Sequence, residues 1–343
     1  GGEGAVTGLQ RLMLATLLAT GLAGAASAAT YNGYTSFHVL GDSLSDTGNV
    51  SDASFGLVPE SPPYWKGRFS SGPVWADRIK GVFRRADVPT GNHAWGGAKA
   101  RTDLDGIPDL ALQTLQYRRT SSDRRGDRPL LALWAGGNDI LQGLREPDIR
   151  RVGRRAADAV GNTAEALARS GVDDFLIFNL PDLGQIPRNT ARGPEAMKLA
   201  TRGSKAFNRQ LDRRIRDLRQ DGLTVRKVNT FKFFNQLIAD PEAFGVSDTA
   251  SPCIGPGDSV CSRRESRERA FFDNIHPNAV VHKRISEIAR GRIDRGPALA
   301  GPMSASASFS AATVAPVPLP APVLLLLAGL GALGLVARRR RRA

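Results

Sequence analysis

"SFHVLGDSLSDTGNV", Ser36 to Val50, opens as a strand and ends in a knot of polar residues. Phe37, Val39 and Leu40 belong to an apolar run that suits a buried strand. Gly41, Asp42, Ser43, Asp46, Gly48 and Asn49 follow at once. A chain that leaves a strand on Gly-Asp-Ser can hold the serine hydroxyl at the carboxyl end of a sheet. Three further runs read as strands: "LLALWAG" (Leu130–Gly136), "DFLIFNL" (Asp174–Leu180) and "LTVRKVN" (Leu223–Asn229). Helical patterns lie between and after them. One follows Pro147 and runs to about Arg169. A second carries Phe207, Leu211, Ile215 and Leu218 on one face. A third starts at Pro277 and places Val281, Ile285 and Ile288 on one side, with His282 off that stripe and near solvent. Strand–helix alternation predicts an α/β domain over residues 29–295, a parallel sheet with helices on both faces. Ligands of such sheets bind beyond the carboxyl ends of the strands, where Ser43 and "GGND" (Gly136–Asp139) both fall.

The 343 residues carry a formal net charge of +14, which raises nucleic-acid binding as a possible role. Five of those charges sit together in Arg338 to Arg342. The others are mixed with acids, as in "RRIRDLRQD" (Arg213–Asp221), so a solvated Arg-rich surface is expected and no nucleic-acid partner.

Both ends read as targeting segments. Arg11 precedes an apolar stretch from Leu12 to about Ala23, and Ala26-Ser27-Ala28 forms an A-x-A cleavage site. A signal peptide over residues 1–28 is expected. Residues 296–320 turn to Ala, Ser, Pro and Gly, the composition of a flexible linker. "APVLLLLAGLGALGLVA" (Ala321–Ala337) then precedes the Arg block. At ~1.5 Å per residue it reaches ~25 Å, the lower limit for crossing a bilayer. "VPLPA" (Val317–Ala321) stands at its start. The three parts in this order resemble the PEP-CTERM-type sorting tails processed by bacterial exosortases. The resemblance implies a membrane helix over residues 321–343 before processing, and a final place in the cell envelope, at the cell surface or outside the cell. In an exported protein the close pair Cys253 and Cys261 is expected to form a disulfide rather than a metal site.

Acyl chemistry requires a nucleophile, a base, an acid to orient the base, and donors for the oxyanion. Ser43 is the candidate nucleophile. Of the histidines, His38 has no nearby acid and His93 lies in a turn after Gly91-Asn92. Only His276, in "FFDNIHPN" (Phe271–Asn278), has an acid, Asp273, three residues before it in a bent loop. "NHAWGGAKA" (Asn92–Ala100) offers Gly96 or Gly97 as backbone donors, and "AGGNDI" (Ala135–Ile140) offers Asn138. Three other signals are set aside. "GPGDSV" places Ser259 between the cysteines with no strand before it, and reads as a constrained surface turn. "GLGALG" (Gly329–Gly334) matches a dinucleotide-binding pattern but lies inside the apolar tail. Neither a G-x-S-x-G elbow nor a P-loop occurs.

"GDSLSDTGN", "NHAWGGA", "GGND" and "DNIHP" stand in the order of the blocks of the GDSL, or SGNH, hydrolases, which the chain resembles from about Tyr34 to Asn278. "GRFSSGPVW" (Gly67–Trp75), "NLPDLGQIP" (Asn179–Pro187) and "DPEAFGVSD" (Asp240–Asp248) extend the likeness. It implies a flavodoxin-like three-layer sandwich with about five parallel strands. It also implies Ser43 as nucleophile, His276 as base and Asp273 as its orienting acid. The oxyanion donors would be Ser43, Gly96 and Asn138, and no cofactor or metal would be needed. In "AWGGA" Gly97 competes with Gly96. The expected activity is hydrolysis of a small-molecule or lipid ester through an acyl-enzyme. The alternatives are an acyltransferase or phospholipase with the same nucleophile, and a non-catalytic surface or matrix protein on the same fold. Loops such as Ala53 to Trp65 would set the acyl chain and head-group.

Overall fold

Five strands lie side by side and all parallel: β1 (Ser36–Gly41), β2 (Thr90–Asn92), β3 (Pro129–Trp134), β4 (Asp174–Phe178) and β5 (Thr224–Val228). The computed structural model describes residues 29–103, 105–255, 257 and 259–295. The expected signal peptide, linker and apolar tail lie outside them. The sheet order is β2-β1-β3-β4-β5. Every residue of β1, β3 and β4 is buried, as strands covered on both faces must be. The expected three-layer α/β fold is therefore the observed one.

Among the described residues, the α-helices of five or more residues are α1 (Asn49–Ala53), α2 (Trp75–Arg84), α3 (Leu110–Arg119), α4 (Gly137–Gln142), α5 (Ile149–Ala168), α6 (Pro194–Gln220), α7 (Thr230–Ala239) and α8 (Ala279–Ile293). The longest two, α5 and α6, pack on each other, and α3 packs against α5. The helices α2 and α8 form a second pair against the sheet. Asp148 caps α5, its carboxylate accepting the backbone N–H groups of Arg150 and Arg151, which is why the helix starts just after Pro147. Phe207, Leu211, Ile215 and Leu218 are buried along α6, as their spacing predicts. On α2, Trp75, Ile79 and Phe83 recur every four residues and are buried. The Trp75 ring meets Phe178 of β4 at 4.4 Å between centroids.

Three details differ from the sequence-based expectation. The strand β2 was not foreseen. Its residues Thr-Gly-Asn carry no apolar signal, and its place at the sheet edge comes from backbone pairing with β1 alone. The helix α8 starts at Ala279 rather than Pro277. The Asn278 side chain accepts the Val281 N–H at 2.9 Å and acts as N-cap, leaving Pro277 outside. His282 is fully buried rather than near solvent. Its Nδ1 accepts the N–H of Trp75 at 3.3 Å, one of the donors that the first turn of α2 cannot satisfy internally. Burial holds its pKa down at about 3, so the ring is neutral.

Candidate active site

The sheet order reverses between β1 and β3, both of which neighbour the crevice where ligands of such folds bind. At that point β1 ends on Gly41. A Cβ there would collide with the carbonyl oxygen of Trp134 on β3, so only glycine lets the two strand ends close. The Gln113 side chain holds this end, donating to Gly41 O and accepting from Gly41 N, both at 2.8 Å. The chain then turns sharply. The N–H groups of Ser45 and Asp46 donate to Asp42 O, and Leu44 N–H donates to Asp42 Oδ1 at 3.0 Å. Ser43 sits on this turn, 7% exposed. Its own N–H donates no hydrogen bond among the described residues.

Asp46 accounts for much of the remaining knot. Its carboxylate accepts backbone N–H groups from Gly48, Asn49 and Val50, and from Gly96 at 2.9 Å. Asn49 Nδ2 donates to Ala94 O at 2.7 Å, and Asn92 Nδ2 donates to Ser45 O at 2.8 Å. The polar letters of "GDSLSDTGN" thus weld the serine turn to the "NHAWGG" loop.

His276 comes from the far end of the domain. Its Nε2 lies 2.8 Å from Ser43 Oγ, and its Nδ1 lies 2.7 Å from Asp273 Oδ2. An ionised carboxylate can only accept, so Nδ1 carries the proton and Nε2 is left to accept from the serine hydroxyl. Asp273 Oδ1 accepts the N–H groups of Ile275 and His276, both at 2.7 Å, which fixes the bend of this loop. Tyr64 donates its hydroxyl hydrogen to Asp273 Oδ2 at 2.6 Å. The Phe69 ring packs 5.2 Å from the His276 ring.

Burial alone would raise the pKa of Asp273. The charge on His276 and hydrogen bonds from His276 and Tyr64 outweigh it and bring the value to about 2. Burial alone would lower His276, but the Asp273 carboxylate, aided by Asp42, leaves it raised. Asp42 is pushed up to about 7 by burial. Asp139 is pushed up to about 6 by the same cause, although the N–H groups of Ala100 and Arg101 stabilise its charge.

Asn138 stands at the start of α4, directly beyond β3. Its Nδ2 donates one hydrogen to Ala98 O at 2.8 Å, leaving the second available. Asp139 accepts from Ala100 N at 2.7 Å and Arg101 N at 3.2 Å. The glycine loop is therefore held at Gly96, Ala98, Ala100 and Arg101. Ala98 N–H donates to Trp95 O, closing a turn whose third residue is Gly97 at φ +85°. That conformation calls for glycine.

Of the two loop glycines weighed as oxyanion donors, Gly96 donates its N–H to Asp46, whereas the N–H of Gly97 makes no hydrogen bond among the described residues. His38 and His93 stay away from Ser43, stacked on each other at 5.8 Å and held neutral by burial, each near a pKa of about 4. Cys253 and Cys261 are bonded, and Ser259 is exposed within the loop they close. Tyr64 went unnoticed in the sequence because its value depends on a contact with a residue 209 positions away.

A cavity of about 30 Å3 adjoins Ser43 and Asn138. Leu141, Leu183, Ile186, Phe234 and Ile275 give it apolar walls. A hydroxyl aimed at an imidazole beside unspent N–H donors and an apolar slot is equipped for attack on an acyl carbon.

Residues 38–289 match the family described as GDSL-like lipase/acylhydrolase. The chain is 31% identical over 304 residues to a phosphatidylcholine-sterol acyltransferase of Aeromonas hydrophila, covering 73% of this chain and 88% of that protein. It is 26% identical over 267 residues to a thermolabile hemolysin of Vibrio parahaemolyticus, covering 72% of this chain and 61% of that one. Among solved structures, an acetylxylan esterase from Geobacillus stearothermophilus is similar with a TM-score of 0.41 at 13% identity, covering 76% of this chain and 93% of the other.

Proposed function

The chain belongs to the GDSL-like lipase/acylhydrolase family of serine ester hydrolases, and from that membership we propose that it is an exported carboxylic ester hydrolase working through Ser43, His276 and Asp273. His276 Nε2 takes the hydroxyl proton as Ser43 Oγ attacks the ester carbonyl carbon. Asp273 accepts from Nδ1 and stabilises the imidazolium that results. The tetrahedral oxyanion is held by the N–H of Ser43, the free hydrogen of Asn138 Nδ2 and the N–H of Gly97, in place of Gly96. The intermediate collapses, His276 protonates the departing alcohol, and the acyl-enzyme remains. Water then repeats the sequence, giving up a proton to His276 and releasing the acid. The observation that carries this reading is the 2.8 Å separation of Ser43 Oγ and His276 Nε2, with Asp273 on the other ring nitrogen.

A panel of p-nitrophenyl esters of rising acyl length, run on the parent and on Ser43→Ala, tests it. The parent turns over short esters and Ser43→Ala loses at least ~10³-fold. Equal rates in both would remove Ser43 from the chemistry.

Acyl transfer is a second reading, favoured by the acyltransferase among the relatives and by the apolar walls beside Ser43. An alcohol would then replace water in the second step. Ester and free acid measured with rising concentrations of added alcohol separate the two.

Export is supported by the disulfide, which persists in oxidising compartments. We take residues 1–28 as a signal peptide, 29–295 as the hydrolase domain, 296–320 as a linker and 321–343 as a sorting helix open to exosortase-type processing. Deleting Val317 to Ala343 releases active enzyme into the medium; unchanged location in the deletion strain would undo the sorting assignment.

A further inference from the structure

The loop after α1 carries an apolar tip that faces water. Phe55 is 94% exposed, Leu57 75% and Val58 47%, so three exposed large hydrophobic side chains fall within four consecutive positions. The tip is built rather than slack. Ser54 N–H donates to Val50 O, Gly56 N–H to Ser51 O and Leu57 N–H to Ser54 O, and Val58 N–H donates to Ser54 Oγ at 2.9 Å. Phe55 itself takes φ +54°, a left-handed conformation uncommon for an aromatic residue. Among the described residues, Phe55 and Leu57 are left largely uncovered and Val58 about half covered. Three residues further on, within ~11 Å along the chain, Ser61 begins the wall of an open groove of about 1310 Å3.

That groove has the opposite character along one edge. Ser61 to Lys66 form one side, and α8 and the disulfide loop form the others. Among the described residues, six Lys or Arg line it and no acid does. Lys66, Arg263 and Arg267 are exposed and form no ion pair among the described residues. Trp65, Phe272 and Val260 also line it. The same segment carries Tyr64, which bonds Asp273 of the candidate active site.

We propose that the segment from Ser54 to Lys66 is an interfacial anchor: Phe55, Leu57 and Val58 enter the acyl layer of a lipid surface while Lys66, Arg263 and Arg267 meet its anionic head-groups. Apolar exposure alone would fit many partners. Unpaired cations on the same loop and groove select an anionic lipid surface, since apolar insertion and head-group attraction then act together. Burying one phenylalanine corresponds to a ~10- to 100-fold gain in partition. The assignment does not depend on which residue is the nucleophile.

The test places a reporter at the tip of the full chain, as Phe55→Trp, and mixes it with vesicles of phosphatidylglycerol and phosphatidylcholine bearing brominated acyl chains. Emission in excess of the parent is expected to shift to the blue and to be quenched. Adding Leu57→Ser and Val58→Ser should raise the lipid needed for half quenching at least ~10-fold. Removing phosphatidylglycerol or raising salt to ~1 M should also raise it, because the cations are then unmatched or screened. Far-UV circular dichroism and an unchanged cooperative thermal transition report that each variant is folded. Ser43→Ala in the same background should leave the quenching intact, so failure of the catalytic reading stays distinct from failure of this one. Position 55 remaining red-emitting and unquenched with vesicles would overturn the proposal. So would emission that shifts only with protein concentration as dimers form, with vesicles having no effect.

Discussion

Tyr64 and His276 share one oxygen: Asp273 Oδ2 accepts from the tyrosine hydroxyl at 2.6 Å and from the imidazole Nδ1 at 2.7 Å. The acid that orients the candidate base is therefore itself oriented by the loop that forms the wall of the basic groove. Two donors on one oxygen stabilise its charge, in line with the low pKa of Asp273.

Tyr64→Phe removes one of those donors and keeps the ring, which packs on Phe272 at 5.3 Å. A hydrogen bond to a charged group is worth about 1.5–3 kcal/mol. We expect kcat/KM to fall ~10- to 100-fold, with a smaller change in Tm than Tyr64→Ala produces. Stopped-flow or plate kinetics on a short ester decide it; an unchanged kcat/KM would make the contact incidental.

Ser43 and His276 should behave as one unit. Either Ser43→Ala or His276→Ala alone is expected to remove nearly all activity, and the double variant should lose little more. Additive losses would mean that the 2.8 Å contact is not used in the reaction.

Asn138→Ala deletes a proposed oxyanion donor. A loss of ~10²- to 10³-fold in kcat with KM nearly unchanged is expected, because such a donor acts on charge that develops only in the transition state. A rise in KM with kcat preserved would instead assign Asn138 to ground-state binding.

The pH dependence has two parts with opposite signs. The proposed base, His276, would act only when neutral, and its pKa is raised, so kcat/KM should fall as pH drops through a value above the ordinary 6.5. Asp42 is an acid whose folded pKa is raised to about 7. Between its ordinary value of 3.8 and about 7 the unfolded chain gives up this proton and the folded one keeps it. Its contribution is therefore full at low pH and is lost as pH rises. Asp42→Asn keeps the acceptor for Leu44 N–H at 3.0 Å and removes the ionisation. It should raise Tm at pH 8 and change it little at pH 4, by calorimetry across that range. An equal shift at both values would show that Asp42 does not titrate as described.

Much of the architecture was legible from runs of residues alone. β1, β3, β4 and β5 and the stripe on α6 follow from local patterns, because burial on a face repeats with the period of the element that makes it, and the Cys253–Cys261 pair follows from its close spacing. The motifs around Ser43, Asn138 and His276 were likewise visible as residue types suited to one chemistry. Tertiary structure alone decided how each donor is spent. Asp46 claims the N–H of Gly96 and leaves that of Gly97, Trp75 turns His282 inward, and Asp273 recruits Tyr64 from a distant loop. A hydrogen bond depends on where two segments meet in space, and no periodicity in either segment records that meeting.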